Sequence, residues 1–312
     1  MLLKIAKTTA LVALTVCTLN ASQYNAQAEK DRLALIDYFE AKFDNPEKNK
    51  ATFFPYSTDD ELKNNIISGL KHEDFAIGNY AFSKNGKVSY EEINEFPPYE
   101  EFIENGEALY EKKFANGNSL ATCFPDPVEA GSKYPYFDED KKEVQTLTVA
   151  INECRTSNGE KKWKTTKGKM AHVQAFFVSS ARDEEKVLDV KIESAEAAEA
   201  YERGKEYYYT QKGYLKLSCA ECHVQGAAQR VRNESLSQLL GQATHFPVYR
   251  LKWGAASAKN DGLGTLERRM SGCVKDQGQV PPKNDSREMK ELLFFMAYMS
   301  NGLKIDGPDI RK

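Results

Sequence analysis

The sequence predicts a mainly α-helical protein made of two tandem copies of one small domain, preceded by an N-terminal extension. Gly106 in the first copy and Gly204 in the second lie in helical patterns, at nearly the same distance before a cysteine. Each copy then closes with an amphipathic helix that contains a Phe-Phe pair, in the segments 170–177 and 289–296. Such self-similarity along a chain is the signature of repeated domains. At 312 residues the chain is long enough for two ordinary domains.

The boundaries of these parts follow from changes in composition along the chain. Residues 1–28 form a predicted export signal, and residues 29–99 form a mostly polar extension that wraps over a core. The first copy covers residues 100–190 and the second covers residues 191–312. The extension begins with a predicted amphipathic helix from Asp31 to Phe43. The apolar positions of this helix are Leu33, Ile36, Phe39 and Phe43.

The N-terminal segment predicts export to the periplasm by a cleaved signal peptide. Lys4 and Lys7 precede an apolar run, and Ala26-Gln27-Ala28 offers small residues for cleavage. The apolar run is too short to cross a bilayer, so we expect no membrane span. A lipoprotein anchored at Cys17 is an alternative, although Val16 stands where a small residue is preferred. The formal net charge of −3 gives no sign of nucleic-acid binding.

One motif carries the chemistry of the second copy: Cys219-Ala-Glu-Cys222-His223. Two cysteines at this spacing can form thioethers to both vinyl groups of one haem, while the following histidine ligates the iron. A redox disulfide or half of a zinc site is the alternative interpretation. However, the sequence contains no second pair of cysteines at this spacing to complete a zinc site. The second copy is therefore predicted to be a cytochrome c-like domain with covalently bound haem c.

The first copy lacks the haem-binding residues. Leu120 stands at the position of the first attachment cysteine, and Phe124 stands at that of the histidine. The first copy is therefore predicted to be a cytochrome c-like domain without haem, which leaves one haem per chain. Cys123 remains, and Cys154 lies where the second copy has Cys273. With no haem between them, Cys123 and Cys154 are predicted to form a disulfide.

Three residues are candidates for the second axial ligand of the iron: Met270, Cys273 and His245. A methionine raises the haem potential, whereas a thiolate lowers it. Each candidate also has a purely structural interpretation, either as a core residue or, for His245, as a loop histidine before a proline. Arg269 lies four residues before Cys273, on the same helical face, and would favour a thiolate there. This favours Cys273, although spacing alone does not decide between the candidates.

Several short segments of the chain resemble one known family. They are Tyr249-Arg-Leu-Lys-Trp253, Gly264-Thr-Leu-Glu-Arg-Arg269, Gly272-Cys273, Met299-Ser-Asn-Gly-Leu303 and, in the first copy, Ile151-Asn-Glu-Cys-Arg155. These segments are similar to SoxA, the catalytic subunit of the periplasmic SoxAX cytochromes of bacterial sulfur oxidation. Members of that family carry either two haems or one. Leu120 and Phe124 make this chain resemble the single-haem kind.

The resemblance implies an activity, a set of partners and a set of site residues. The activity is the oxidative joining of thiosulfate to a cysteine of a SoxYZ-like carrier protein, with two electrons leaving through the haem of a SoxX-like cytochrome subunit in a heterodimer. Cys219 and Cys222 would hold the haem, and His223 and Cys273 would ligate its iron. Cys273, whose counterpart in the family is found as a persulfide, and Arg269 would be catalytic.

One expected residue is missing from the resemblance. A second arginine, expected near the end of the family's last helix, has no match in Met296-Ala-Tyr-Met-Ser-Asn301. Arg250, Lys252 or Arg268 could replace it in holding the anion, and the sequence does not choose between them.

Two other functions stay open at the level of sequence. One is a simple electron-transfer cytochrome in which Met270 is the distal ligand and Cys273 only packs. The other is a thiosulfate dehydrogenase, which makes tetrathionate with the same His/Cys ligation but without a carrier protein.

Overall fold

Helices dominate the part of the chain that this computed structural model describes, which comprises residues 2–231 and 234–311, with side chains for 23–231 and 235–311. The helices are α1 (Leu2–Asp44), α2 (Lys50–Phe53), α3 (Asp59–Asn64), α4 (Lys84–Glu95), α5 (Glu100–Glu111), α6 (Leu120–Cys123), α7 (Pro127–Lys133), α8 (Leu147–Ser157), α9 (Lys169–Asp183), α10 (Ala195–Tyr209), α11 (Leu251–Ala255), α12 (Leu266–Asp276) and α13 (Arg287–Met299). A 3₁₀ segment covers His72–Phe82, and a π-helical turn covers Glu221–Gln225. The predicted mainly helical fold is confirmed.

The strands are short and form three small sheets. They are β1 (Tyr136–Asp138), β2 (Glu143–Gln145), β3 (Arg230–Val231), β4 (Glu234–Ser235), β5 (Val248–Arg250), β6 (Leu263–Gly264) and β7 (Asp309–Arg311). β1 pairs with β2 and β3 with β4, in both cases antiparallel. In the third sheet β5 is central, antiparallel to β6 with Val248 opposite Gly264, and parallel to β7 with Val248 opposite Asp309. Since β6 ends just before α12, this sheet fixes where that helix begins.

Two helix crossings of the same kind support the fold. α5 crosses α9 at Gly106, and α10 crosses α13 at Gly204. A Cβ atom at Gly106 would lie 2.7 Å from the carbonyl carbon of His172, and one at Gly204 would lie 2.8 Å from that of Glu291. Only glycine allows two helix backbones to approach so closely. The sequence repeat aligns His172 with Glu291, so the two crossings use equivalent positions.

The largest hydrophobic core lies around α13 and includes much of the N-terminal extension. Phe39 and Phe43 of α1 are fully buried in it, together with Phe75 and Phe82 of the 3₁₀ segment. The rings of Phe43 and Phe82 stack with their centroids 5.1 Å apart. The extension is therefore part of this core and not only a polar cover over it.

The N-terminal helix is longer than the predicted one and buries the predicted face at Phe39 and Phe43 but not at Leu33. The predicted helix from Asp31 to Phe43 lies within α1, which confirms it as a helix. The prediction for Leu33 was wrong, because its side chain is 47% exposed while Leu35 is buried. Of the predicted signal segment 1–28, Met1 and the side chains up to residue 22 lie outside the described residues. No helix in the described part of the chain is long and apolar enough to cross a membrane.

A smaller core fills the first copy at the positions where the second copy carries its haem motif. Leu120 is fully buried there and Phe124 is 8% exposed. Phe124 packs against Phe177 with ring centroids 5.3 Å apart, and Ile151 completes the contact region. Apolar side chains thus occupy the interior of the first copy.

Candidate functional site

The haem-attachment motif begins with a small capping structure. The backbone N–H of Glu221 donates to Ser218 Oγ at 3.3 Å, and the backbone N–H of Ser218 donates to the Glu221 carboxylate at 2.9 Å. This reciprocal pair is the capping box expected of a Ser-x-x-Glu sequence, and it fixes the start of the turn. Cys219 and Cys222 lie within and just after it as half-buried free thiols. Local sequence therefore places both thiols on one turn, immediately before His223.

The ring of His223 is oriented by a backbone carbonyl. Its Nδ1 lies 2.8 Å from the carbonyl oxygen of Ser237, which can only accept, so Nδ1 carries the proton. Nε2 is then the lone-pair nitrogen, as in most histidines that ligate a metal. Burial, with a further contribution from Arg269, lowers the pKa of His223 to about 4. The imidazole is therefore neutral at physiological pH, the form that binds iron.

α12 brings Cys273 close to the attachment cysteines. The helix begins at Thr265, whose hydroxyl accepts a hydrogen bond from the backbone N–H of Arg268. Cys273 follows two turns later and is a half-buried free thiol. Burial and the neighbouring Cys273 raise the pKa of Cys219 to about 12, and the same two causes raise the pKa of Cys222. The three thiols that the sequence singled out therefore lie within electrostatic range of one another.

Arg269 is a cation near these groups without a counter-ion in the described structure. Its side chain is half-buried, and no described carboxylate forms an ion pair with it. Its charge contributes to lowering the pKa values of both His223 and His245, after burial itself. A partly buried guanidinium with free N–H donors is well suited to bind an oxyanion through charge-assisted hydrogen bonds.

The two other candidates for the distal ligand both have structural contacts. Met270 packs against the largest core. His245 is buried and its Nδ1 lies 2.9 Å from the carbonyl oxygen of Gly241. Burial, Arg311 and Arg269 hold its pKa well below the usual histidine range. These contacts agree with the structural interpretation of each residue, and the choice of distal ligand stays a prediction.

The basic residues considered as substitutes for the missing arginine gather around Trp253. The guanidinium carbon of Arg268 lies 3.7 Å from a ring centroid of Trp253, and that of Arg250 lies 5.6 Å from it. Arg268 also donates to the carbonyl oxygen of Leu263 at 3.2 Å. Arg250 is 3% exposed, whereas Lys252 is exposed. Two arginines are thus held in place beside the first turn of α12.

Sequence analysis missed Tyr208, which lies among the site cysteines. Tyr208 is buried and donates through its hydroxyl to Gln242 Oε1 at 3.1 Å. Burial raises its pKa far above the usual value, and charges on Cys219, Cys222 and Cys273 contribute. The sequence could have indicated its burial, because Tyr208 lies one helical turn after Gly204 and therefore on the face of α10 that packs against α13.

The residues of this site fit a covalent haem c. Two free thiols on one turn match the two thioether positions, and an oriented, neutral imidazole follows them directly. In the first copy, by contrast, Cys123 and Cys154 form a disulfide, with sulfur atoms 1.99 Å apart. The two copies therefore use their cysteines differently.

Comparison with known proteins identifies the family. The sequence profile of the SoxA/TsdA cytochrome c domain matches residues 105–185, which lie in the first copy. The L-cysteine S-thiosulfotransferase subunit SoxA of Chlorobaculum tepidum is 46% identical over 78% of this chain and 82% of its own length. The chain belongs to the SoxA family. The SoxA subunit of Allochromatium vinosum is 35% identical over 86% of this chain and 90% of its own.

A solved structure supports the same assignment for the fold. The crystal structure of SoxXA from P. pantotrophus matches with a TM-score of 0.64 and 30% sequence identity, and the match covers 72% of this chain and 84% of that one. The resemblance to SoxA drawn from the sequence is confirmed, and so is the cytochrome c-like fold. As a member of this cytochrome c family, the chain binds haem c.

Proposed function

We propose that this SoxA chain acts as an L-cysteine S-thiosulfotransferase, which joins thiosulfate oxidatively to a cysteine of a SoxYZ-like carrier protein. The observation that carries the proposal is that α12 carries a free thiol, Cys273, and one helical turn before it the half-buried Arg269, with which no described carboxylate forms an ion pair, beside the haem-attachment turn. The names of the relatives and the SoxXA structure support it. A SoxX-like cytochrome subunit is the proposed partner in a heterodimer.

Five residues form the proposed haem site and its catalytic group. Cys219 and Cys222 hold one haem c, His223 and Cys273 ligate its iron, and Arg269 binds the substrate. When bound, the haem supplies an acceptor that takes electrons one at a time and passes them towards the partner subunit. One haem per chain is proposed because buried apolar side chains fill the first copy.

The chemistry of the chain's own residues follows from these positions. Arg269 binds the sulfonate oxygens of thiosulfate and places the sulfane sulfur next to Cys273. Cys273 loses its proton and forms an S–S bond to that sulfur, which gives an S-thiosulfonate and releases two electrons. A carrier thiolate then attacks the sulfane sulfur, the bond to Cys273 breaks, and Cys273 leaves as a thiolate. The group ends on the carrier, and Cys273 is restored.

Location and domain organisation belong to the same proposal. Residues 1–28 act as a cleaved signal for export to the periplasm, an oxidising compartment in which the Cys123–Cys154 disulfide is stable. The extension covers 29–99, the haemless copy 100–190 and the haem-binding copy 191–312. The equivalent glycine crossings in the two copies support this division.

Substitution of Cys273 and Arg269 tests the function. Cys273→Ala should keep its haem, because the other three haem residues remain, but should change the ferric electron paramagnetic resonance spectrum and abolish conjugation. Arg269→Ala should leave that spectrum nearly unchanged and lower kcat/KM for thiosulfate about ten- to a hundred-fold, since a charge-assisted contact contributes about 1.5 to 3 kcal/mol.

Met270→Ala provides the matched control for ligation, and it should keep both the spectrum and the activity. An unchanged spectrum in Cys273→Ala together with a changed one in Met270→Ala would identify a methionine-ligated electron carrier and contradict the proposal. Tetrathionate formation without any carrier protein would instead identify a thiosulfate dehydrogenase. Pyridine haemochrome quantitation should give one haem per chain, and a value of two would refute the haemless assignment.

A further inference from the structure

A lysine-rich segment lies between α8 and α9 in the first copy and includes the first residue of α9, and we call residues 161–169 the lysine loop. Its five lysines are all exposed, and in the described structure none of them forms an ion pair. They are Lys161, Lys162, Lys164, Lys167 and Lys169. The chain as a whole has a formal net charge of −3, so this concentration of positive charge is local. An exposed cationic surface of this kind attracts anionic partners over a distance of about one Debye length.

The lysine loop is held in place by α8. Arg155 of α8 donates through Nε to the carbonyl oxygen of Lys161 at 2.9 Å. Asn152 binds both backbone groups of Trp163, donating to its oxygen at 3.1 Å and accepting from its nitrogen at 2.8 Å. The Arg155 guanidinium also lies 4.0 Å from a ring centroid of Trp163. Because α8 is itself tied down by the disulfide at Cys154, the loop needs little ordering when a partner binds.

The lysine loop also touches the start of α12, the helix that carries the proposed acceptor cysteine. The backbone N–H of Thr265 donates to the carbonyl oxygen of Thr166 at 3.2 Å. The hydroxyl of Thr265 donates to the carbonyl oxygen of Thr165 at 2.8 Å. Lys167 forms an antiparallel bridge with Gly264. Since Thr265 caps α12, the loop of the first copy is joined directly to the catalytic helix of the second.

A cleft of about 280 Å³ lies between the lysine loop and the second copy. Lys164, Lys167 and Lys169 line it, together with one acidic residue, Asp261. The carboxylate of Asp261 lies 3.3 Å from Nε2 of His172, and the three lysines outnumber it. The cleft is therefore cationic and has room for an acidic side chain. Lys161 and Lys162 lie outside the lining, so a small anion in the cleft would not reach them.

We propose that the lysine loop is a docking surface for an acidic face of the sulfur-carrier protein, which it steers towards α12. A protein surface can occupy the cleft and the two lysines beyond it together, whereas a single dianion cannot. In this way the first copy has a role in the reaction without binding haem. The inference rests on the proposed function for the identity of the partner.

Neutralising the outer part of the lysine loop tests this proposal. The variant Lys161→Gln/Lys162→Gln/Lys164→Gln leaves Lys167 and Lys169 in place. The matched control is Lys48→Gln/Lys63→Gln/Lys84→Gln, which removes three exposed lysines of the extension that have no ion pair in the described structure. Association of the haem-loaded complex with purified carrier protein is followed by stopped flow, at low and at high ionic strength.

The loop variant should associate with the carrier about tenfold more slowly at low ionic strength, because surface charges act mainly on association rates. The difference from wild type should largely disappear at high salt, and the control should match wild type throughout. Equal association rates for the loop variant and the control would overturn the proposal. A wild-type association rate that does not change with salt would also overturn it, and this measurement needs no folded variant.

A further measurement distinguishes binding of the acidic carrier protein from binding of the thiosulfate dianion. A higher KM for thiosulfate in the loop variant, with unchanged association of the carrier, would assign the loop to capture of the small anion and overturn the proposal. If wild type showed no conjugation activity, this would count against the proposed function alone, because carrier association is measured independently of turnover.

Discussion

Replacing Gly204 with alanine is a direct test of the helix crossing that supports the haem-binding copy. An added Cβ would lie 2.8 Å from the carbonyl carbon of Glu291, 2.8 Å from Cβ of Phe295, and closer still to the Glu291 carbonyl oxygen. Two of these three atoms belong to the backbone of α13, so no side-chain rotation can relieve the contact. The two helices would have to move apart by about 1 Å, against a core in which α13 is buried along almost its whole length.

The cost of this substitution follows from two opposing terms. Overpacking a well-filled core costs about 1 to 3 kcal/mol, and a backbone clash belongs at the upper end of that range. The gain in helix propensity from glycine to alanine returns about 1 kcal/mol. The free energy of unfolding of the second copy should therefore fall by about 2 kcal/mol in Gly204→Ala.

Guanidinium denaturation followed by the Soret absorbance measures this change, because only the second copy is proposed to hold a haem. The midpoint of the Soret transition should fall in Gly204→Ala. Gly106→Ala is the matched variant, since its Cβ would lie 2.7 Å from the carbonyl carbon of His172 in the equivalent crossing. It should lower the far-ultraviolet circular dichroism transition and leave the Soret midpoint unchanged. A Soret midpoint in Gly204→Ala equal to or above that of wild type would refute the close approach of α10 and α13.

Two further predictions concern stability. Cys123→Ser/Cys154→Ser should lower the free energy of unfolding of the first copy by about 3 to 4 kcal/mol, because the disulfide closes a loop with a sequence separation of 31. Reduced wild type is the control. A variant as stable as oxidised wild type would contradict this prediction. Burial lowers the pKa of Lys42 from 10.5 to about 8, so the charge on this lysine opposes folding at low pH. Between pH 8 and 10.5 the unfolded chain binds more protons at this position than the folded chain does. Over that range the free energy of unfolding of wild type should therefore rise by up to about 3 kcal/mol relative to that of Lys42→Met. Denaturation curves across that range measure the difference, and parallel pH profiles for the two proteins would count against it.

The repeat and the haem motif could be predicted from the sequence because both are local patterns. A glycine at a helix crossing and a Cys-x-x-Cys-His turn each lie within one short segment, and Gly106 and Gly204 were found in this way. The burial of the extension could not be predicted. Phe75 and Phe82 bound a short, mostly apolar run that polar residues flank on both sides, and this run reaches the core only through contacts with distant segments. Composition averaged over the extension therefore hid the residues that anchor it.

Several features of the site left no signal in the sequence because backbone atoms make the contact. The group that orients His223 is the carbonyl of Ser237, and any residue at that position would supply it. That no described carboxylate forms an ion pair with Arg269 depends instead on which acidic side chains the fold brings near it. Tyr208 could not be predicted for a different reason. An aromatic residue on the packed face of a helix is usually a core residue, and only the folded structure shows that the turn with Cys219 lies beside this one.

The two copies divide the work of the site between interior and surface. Under the proposed function, Cys219, Cys222 and His223 of the second copy hold the cofactor, and α12 keeps Cys273 partly accessible. The first copy has a closed interior, in which Leu120 is fully buried. Its disulfide fixes α8, α8 fixes the lysine loop, and the loop contacts Thr265 at the start of α12. Under the same proposal, haem attachment rigidifies the second copy, whereas a disulfide does so in the first, and that disulfide lies on the path from the proposed docking surface to α12.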